Sequence, residues 1–158
     1  MTPQLAGLAK LFATSDRLFL RALDGAPREA LYHRPGGAGN PMLWIAGHAT
    51  NVRARFLTGL GRPHPLAWGD EFQRGGSSAD ESRWPDVAEI VAAWQAIATA
   101  LHQRLDELTA DELTATTPMP GVDDTLLGAV TLIAFHDVYH VGQLGMLRAH
   151  AGLGRLVG

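Results

Sequence analysis

Large apolar residues recur at every third or fourth position in four separate stretches of this chain, and no stretch sustains the apolar–polar alternation of a half-buried strand. A period of that length buries one face of a helix. Four such faces without a strand signal restrict the chain to an all-α fold and predict a four-helix bundle. The 158 residues read as a single domain over 1–158. A chain of that size buries a core without needing a disulfide or a metal as a staple.

The first stripe is Leu5, Leu8, Phe12, Leu18, Phe19 and Leu23, opened by Thr2-Pro3 and closed by Gly25 and Pro27. Proline suits the first helical position and glycine the position just past the last. The second opens at Asn40-Pro41, runs to Gly59 and turns Ile45, Val52 and Phe56 inward, with His48 between them. The third starts near Pro85 and carries Val87, Ile90, Trp94, Ile97, Leu101 and Leu105. The fourth runs from Thr125 to His150. One of its lines is Leu126, Val130, Ile133, His136, His140, Leu144 and Leu147; a second is Leu132, Phe135, Tyr139 and Met146. So wide an apolar arc predicts a central helix or a face shared with a second chain.

Residues 61–84 are polar and rich in Gly and Pro, with Gly75-Gly76-Ser77-Ser78 as the expected mobile tip. A connection this long can return along the whole bundle, which predicts that the second and third helices run parallel. Residues 110–124, with Pro118, Pro120 and Gly121, read as loop.

Composition removes several functions. The net charge is −3, so the chain repels phosphate backbones and no nucleic-acid partner is expected. The longest apolar run, Leu126 to Phe135, is too short to span a bilayer. No secretory apolar segment opens the chain, and a cytoplasmic protein with no membrane partner is expected. The chain has no cysteine, which excludes Cys-ligated zinc, iron–sulfur clusters and a cysteine nucleophile.

Three of the seven histidines fall on inward helical lines: His48, His136 and His140. His136 and His140 are four residues apart, one turn apart on one face. Imidazoles at that spacing can share one metal ion, and a third ligand must then come from elsewhere. His48 is the other histidine centred on an apolar face. Hydrogen-bonded packing is the competing reading for each of them, because a buried imidazole costs free energy unless it finds a polar partner. His136-Asp137-Val138-Tyr139-His140 also resembles the H-E-x-x-H zinc-protease motif. That motif takes its third ligand downstream, where no Asp or Glu follows and His150 lies about 15 Å further along the helix axis. A zinc protease is therefore not expected.

Trp44-Ile45-Ala46-Gly47-His48 in one helix, followed by His136-Asp137-Val138-Tyr139-His140-Val141-Gly142-Gln143-Leu144 in the last, resembles the DinB-like metal-dependent superfamily of damage-inducible four-helix bundles. The H-x-x-x-H-x-G-Q pattern is its most specific part. The resemblance implies an up-down-down-up bundle with one divalent ion held by His48, His136 and His140. It also implies a thiol S-transferase or isomerase activity using a low-molecular-weight thiol such as bacillithiol, mycothiol or glutathione. Val141 stands where the family often carries Arg.

The expected protein is thus a metal-dependent transferase acting on a small molecule, with Zn, Ni or Fe as its ion and a small thiol as cosubstrate. Three neutral imidazoles leave the ion its full charge and one open position, where a thiol or water becomes nucleophilic near neutral pH. A hydrolase using bound hydroxide and a non-catalytic metal- or small-molecule-binding protein are the alternatives. Gln143 and Asn51 are expected either as hydrogen-bonding neighbours of the ligands or as ordinary helix-flank amides. Asp137 is expected either to orient an imidazole or to be a solvated acid. The surplus apolar line on the last helix predicts a homodimer.

Overall fold

The computed structural model describes residues 1–73 and 80–157. The stretch expected as a mobile tip, Gly75 to Ser78, lies outside the described residues. A 3-10 turn at Pro3–Leu5 leads into α1 (Ala6–Leu23). There follow α2 (Arg28–Tyr32), α3 (Met42–Gly59), α4 (Val87–Glu107), α5 (Ala110–Thr114) and α6 (Leu126–His150). Among the described residues there is no strand, only a bridge pair between Thr116 and Thr125. No helix among them is long and apolar enough to cross a membrane.

The four long helices are those that the apolar period marks. Their starts differ from expectation in detail. Pro41 rather than Asn40 occupies the cap position of α3, in extended conformation and without a side-chain cap bond. Thr125 does cap α6, its hydroxyl accepting the Gly128 amide at 3.0 Å. The stretches read as loop contain two five-residue helices, α2 and α5. Five residues make less than two turns, too few to display a period. α5 is held instead by a capping box between Thr109 and Glu112.

Two apolar clusters fill the bundle. One joins Phe19 and Leu23 of α1, Met42 and Ile45 of α3, Ile90 and Trp94 of α4, and Leu144 and Leu147 of α6. The other joins Phe12 of α1, Phe56 and Leu57 of α3, Leu101 and Leu105 of α4, and Val130 and Ile133 of α6. The C-terminal halves of α1 and α6 thus share a cluster with the N-terminal halves of α3 and α4. That pairing is compatible with α3 and α4 running side by side. The connection between them earns its place in the core: Trp68, Phe72 and Trp84 are all buried in the first cluster.

α6 is not a central helix. Its second apolar line faces outward, with Phe135 64%, Tyr139 54% and Met146 65% exposed. Periodicity shows that a face is apolar, not what covers it.

Candidate metal centre

A polar layer separates the two clusters, and α3 and α6 supply it. His48 lies in the second turn of α3, and His136 and His140 lie one turn apart on α6. The Nε2 atoms of His136 and His48 are 3.3 Å apart, and those of His140 and His136 are 3.1 Å apart. One nitrogen from each ring lies within 4.8 Å of the other two. No further His, Asp or Glu joins this group among the described residues.

The outer nitrogens fix which way the rings present themselves. His48 Nδ1 donates to the Phe72 carbonyl at 2.7 Å. A carbonyl only accepts, so the proton of a neutral His48 sits on Nδ1 and Nε2 carries a bare lone pair. His140 repeats the arrangement, its Nδ1 donating to Gln143 Oε1 at 2.7 Å, while the Gln143 amide nitrogen donates to the Tyr139 hydroxyl at 3.3 Å. Two lone pairs therefore converge on His136 Nε2. A single proton there can satisfy one of them, whereas a cation satisfies all three nitrogens at once. Burial lowers His136 to about 3, aided by His140 and His48, and lowers His140 to about 4, aided by His48 and opposed by its bond to Gln143. The rings are thus held neutral, the form that binds a metal. The donor set fits a divalent ion of the Zn, Ni or Fe type.

The Phe72 carbonyl reaches His48 because α3 has no side chain at Gly47. A Cβ there would overlap the Phe72 ring. Phe72 ends the short turn Gly69–Phe72, and its ring is wholly buried. On the other side, Trp44 stacks on the His48 imidazole with centroids 5.0 Å apart and planes 6° from parallel. Trp44 is core packing that also holds the ring.

Asp137 is neither a solvated acid nor an imidazole partner. It is wholly buried and accepts from Arg53 Nε at 2.7 Å. Arg53 is also wholly buried. Its Nη1 donates to Asp16 at 2.5 Å, and its guanidinium carbon lies 3.9 Å over the Trp94 ring. His102 completes the chain of contacts, 2.8 Å from Asp16. Burial pushes the Asp137 carboxyl up to about 6, against the lowering pull of Arg53. Gln143 does contact a ligand candidate, whereas among the described residues Asn51 makes no hydrogen bond to the imidazoles. Asn51 instead faces a cleft of about 560 Å³ between α3 and α6, whose wall includes His48 and His136 but not His140.

The pattern of the DinB superfamily matches residues 11–144, which takes in all three histidines and most of the bundle. The chain belongs to the DinB superfamily. No curated protein matches it. For this DinB-superfamily chain, membership and the buried three-histidine group together fit a metal-binding protein.

The contacts that sequence alone did not reveal are the Phe72 carbonyl and the Arg53–Asp137–Asp16 network. The first is a backbone atom and carries no residue signature. The second joins residues far apart in the sequence, and Arg53 stands in a stretch of α3, from Met42 to Ala54, that is otherwise buried nearly throughout.

Proposed function

We propose that His48, His136 and His140 hold one divalent ion and that the protein is a metal-dependent thiol S-transferase. The observation that carries the metal is the convergence of two lone pairs, fixed by Phe72 and Gln143, on a third imidazole. A bound ion would supply Lewis acidity, lowering the pKa of a coordinated thiol into the neutral range.

The chain's own residues do the rest. Phe72 and Gln143 keep the ligating nitrogens unprotonated. Trp44 and the surrounding core keep the rings in place. The cleft beside His48 and His136 admits a small molecule to that side of the group. The chain has no thiol of its own, so the sulfur comes from a cosubstrate. It forms a bond to an electrophilic carbon, the leaving group departs with its electron pair, and the thiol proton passes to solvent.

The exposed line Phe135, Tyr139 and Met146 supports a second proposal, that α6 pairs with its copy in a two-fold homodimer. Gly142 lies between those residues with open space around it, so two backbones can approach closely there.

The experiment on activity is consumption of a thiol-reactive bimane in the presence of glutathione, bacillithiol or mycothiol. It uses metal-stripped protein before and after a divalent ion is restored. Turnover that returns only with both ion and thiol is the expected result. Hydrolysis without any thiol would favour a hydrolase instead, and turnover that persists without metal would remove the ion from the mechanism.

A further inference from the structure

The cleft beside the three histidines is built asymmetrically. α3 lines it with His48, Asn51, Val52, Arg55 and Phe56. Those positions are one face of a helix read at steps of three and four. Its other walls include Phe72, Met119, Leu132 and Ile133, with Gln73 and His136 as their polar members. Among the described residues the walls are thus mainly apolar and contain no carboxylate.

Two polar groups on this face are unused. Asn51 is only 6% exposed, yet its amide makes no hydrogen bond among the described residues. Its amide atoms are not sealed inside the protein but open on the cleft, where they are free to meet a polar group of a ligand. Gly69 leaves room for it, since a Cβ there would sit 2.7 Å from Asn51 Oδ1. Arg55 has no carboxylate or hydrogen-bond partner among the described residues, in contrast to Arg53, Arg62 and Arg104 nearby. Arg55 lies seven residues beyond His48, two helical turns along the same face and about 10.5 Å along the axis.

We propose that this cleft takes an elongated ligand with an apolar body and a terminal carboxylate. The carboxylate pairs with Arg55, a polar group in mid-chain meets Asn51, and the opposite end reaches the histidine group. The ligand length follows from the helix: acid and metal-seeking end are about 10 Å apart. The proposal rests on the reading of the histidines as a metal site for its far end alone. The acid can belong to the thiol itself or to the molecule that the thiol attacks.

The test is calorimetry on cobalt-loaded protein, with the cobalt absorption spectrum followed in parallel. The probes are ω-mercaptooctanoic acid, its uncharged analogue ω-mercaptooctanol, mercaptopropionic acid and octanoic acid. Wild type is compared with Arg55→Gln, a surface change that leaves the core intact. The long mercapto acid is expected to bind about tenfold tighter than the alcohol, the worth of one charge-assisted contact. Arg55→Gln should abolish that preference while leaving the cobalt spectrum unchanged. Mercaptopropionic acid, too short to span the cleft, should show no dependence on Arg55.

Octanoic acid separates the two sources. If it matches the mercapto acid and shares its dependence on Arg55, the acid belongs to the second substrate; if it binds far more weakly, the acid belongs to the thiol. Should no thiol perturb the cobalt spectrum while octanoic acid still depends on Arg55, the thiol reading fails and the anion subsite stands. Equal affinity of acid and alcohol for wild type, or a preference that survives Arg55→Gln, overturns the proposal.

Discussion

Arg53 Nε lies 2.7 Å from Asp137 Oδ2, and neither side chain exposes any surface. The pair joins α3 to α6 at the level of the histidine group: Arg53 follows His48 by five residues, and Asp137 directly follows His136. It therefore fixes the register in which imidazoles from the two helices meet. Removing one member of a buried pair costs far more than the pair is worth, because the remaining charge is left uncompensated.

Asp137→Ala is accordingly expected to lower unfolding stability by about 3 kcal/mol, measured by urea denaturation. It should also weaken metal binding although no ligand is removed. Unchanged stability would show that Asp16 alone compensates Arg53.

Gly47→Ala places a methyl group against the Phe72 ring. The turn carrying Phe72 must move away, and the bond from His48 Nδ1 to its carbonyl is lost. Partners that orient metal-binding histidines are typically worth about 10–100-fold in affinity. A loss of that size is expected in a metal titration, with the helical circular dichroism signal retained. Full affinity in Gly47→Ala would mean that the carbonyl does not set the ring.

The pH dependence of stability follows from the two imidazoles whose protonation the fold opposes. An unfolded histidine titrates near 6.5, whereas folded His136 is held at about 3 and His140 at about 4. Between those values and 6.5 the unfolded chain binds protons that the folded chain does not. Stability of the metal-stripped protein therefore falls as pH drops through that window. Asp137, raised to about 6 from 3.8, acts in the opposite direction over its own range, but it is one group against two. Melting temperature measured from neutral pH down to about 4 should fall, and the slope should flatten in His136→Asn/His140→Asn. An equal slope in that variant would place the acid sensitivity elsewhere.

The dimer proposal is checked by sedimentation at micromolar concentration. Phe135→Glu and Met146→Glu change residues that are 64% and 65% exposed, so the fold should tolerate both. A dimer that the double variant dissociates is the expected result. A wild-type monomer contradicts it.

The four long helices were legible because burial of one helical face writes a period into the sequence, as in the run from Val87 to Leu105. The three histidines were legible for the same reason, each standing on a line that otherwise turns apolar residues inward. What was not legible has a physical cause in each case. Arg53 and Asp137 are 84 residues apart, and each alone looks like a solvated charge; their pairing exists only once α3 and α6 are packed. The Phe72 carbonyl is common to every residue type, and only its neighbour Gly47 hints that something packs closely on that face. The helices α2 and α5 are too short to show a period; each carries a single buried anchor, Leu31 and Leu113, and α5 alone has a capping box.

The central claim is that three imidazoles share one ion, and calorimetric titration of metal-stripped protein with a divalent cation tests it most directly. Two apolar clusters lie on either side of the polar layer, so the stripped protein should remain helical and usable. One ion per chain is expected, with binding lost or strongly weakened in His48→Ala, His136→Ala and His140→Ala but retained in His102→Ala, whose ring serves Asp16 instead. Binding by His48→Ala as tight as that of the parent would contradict the account.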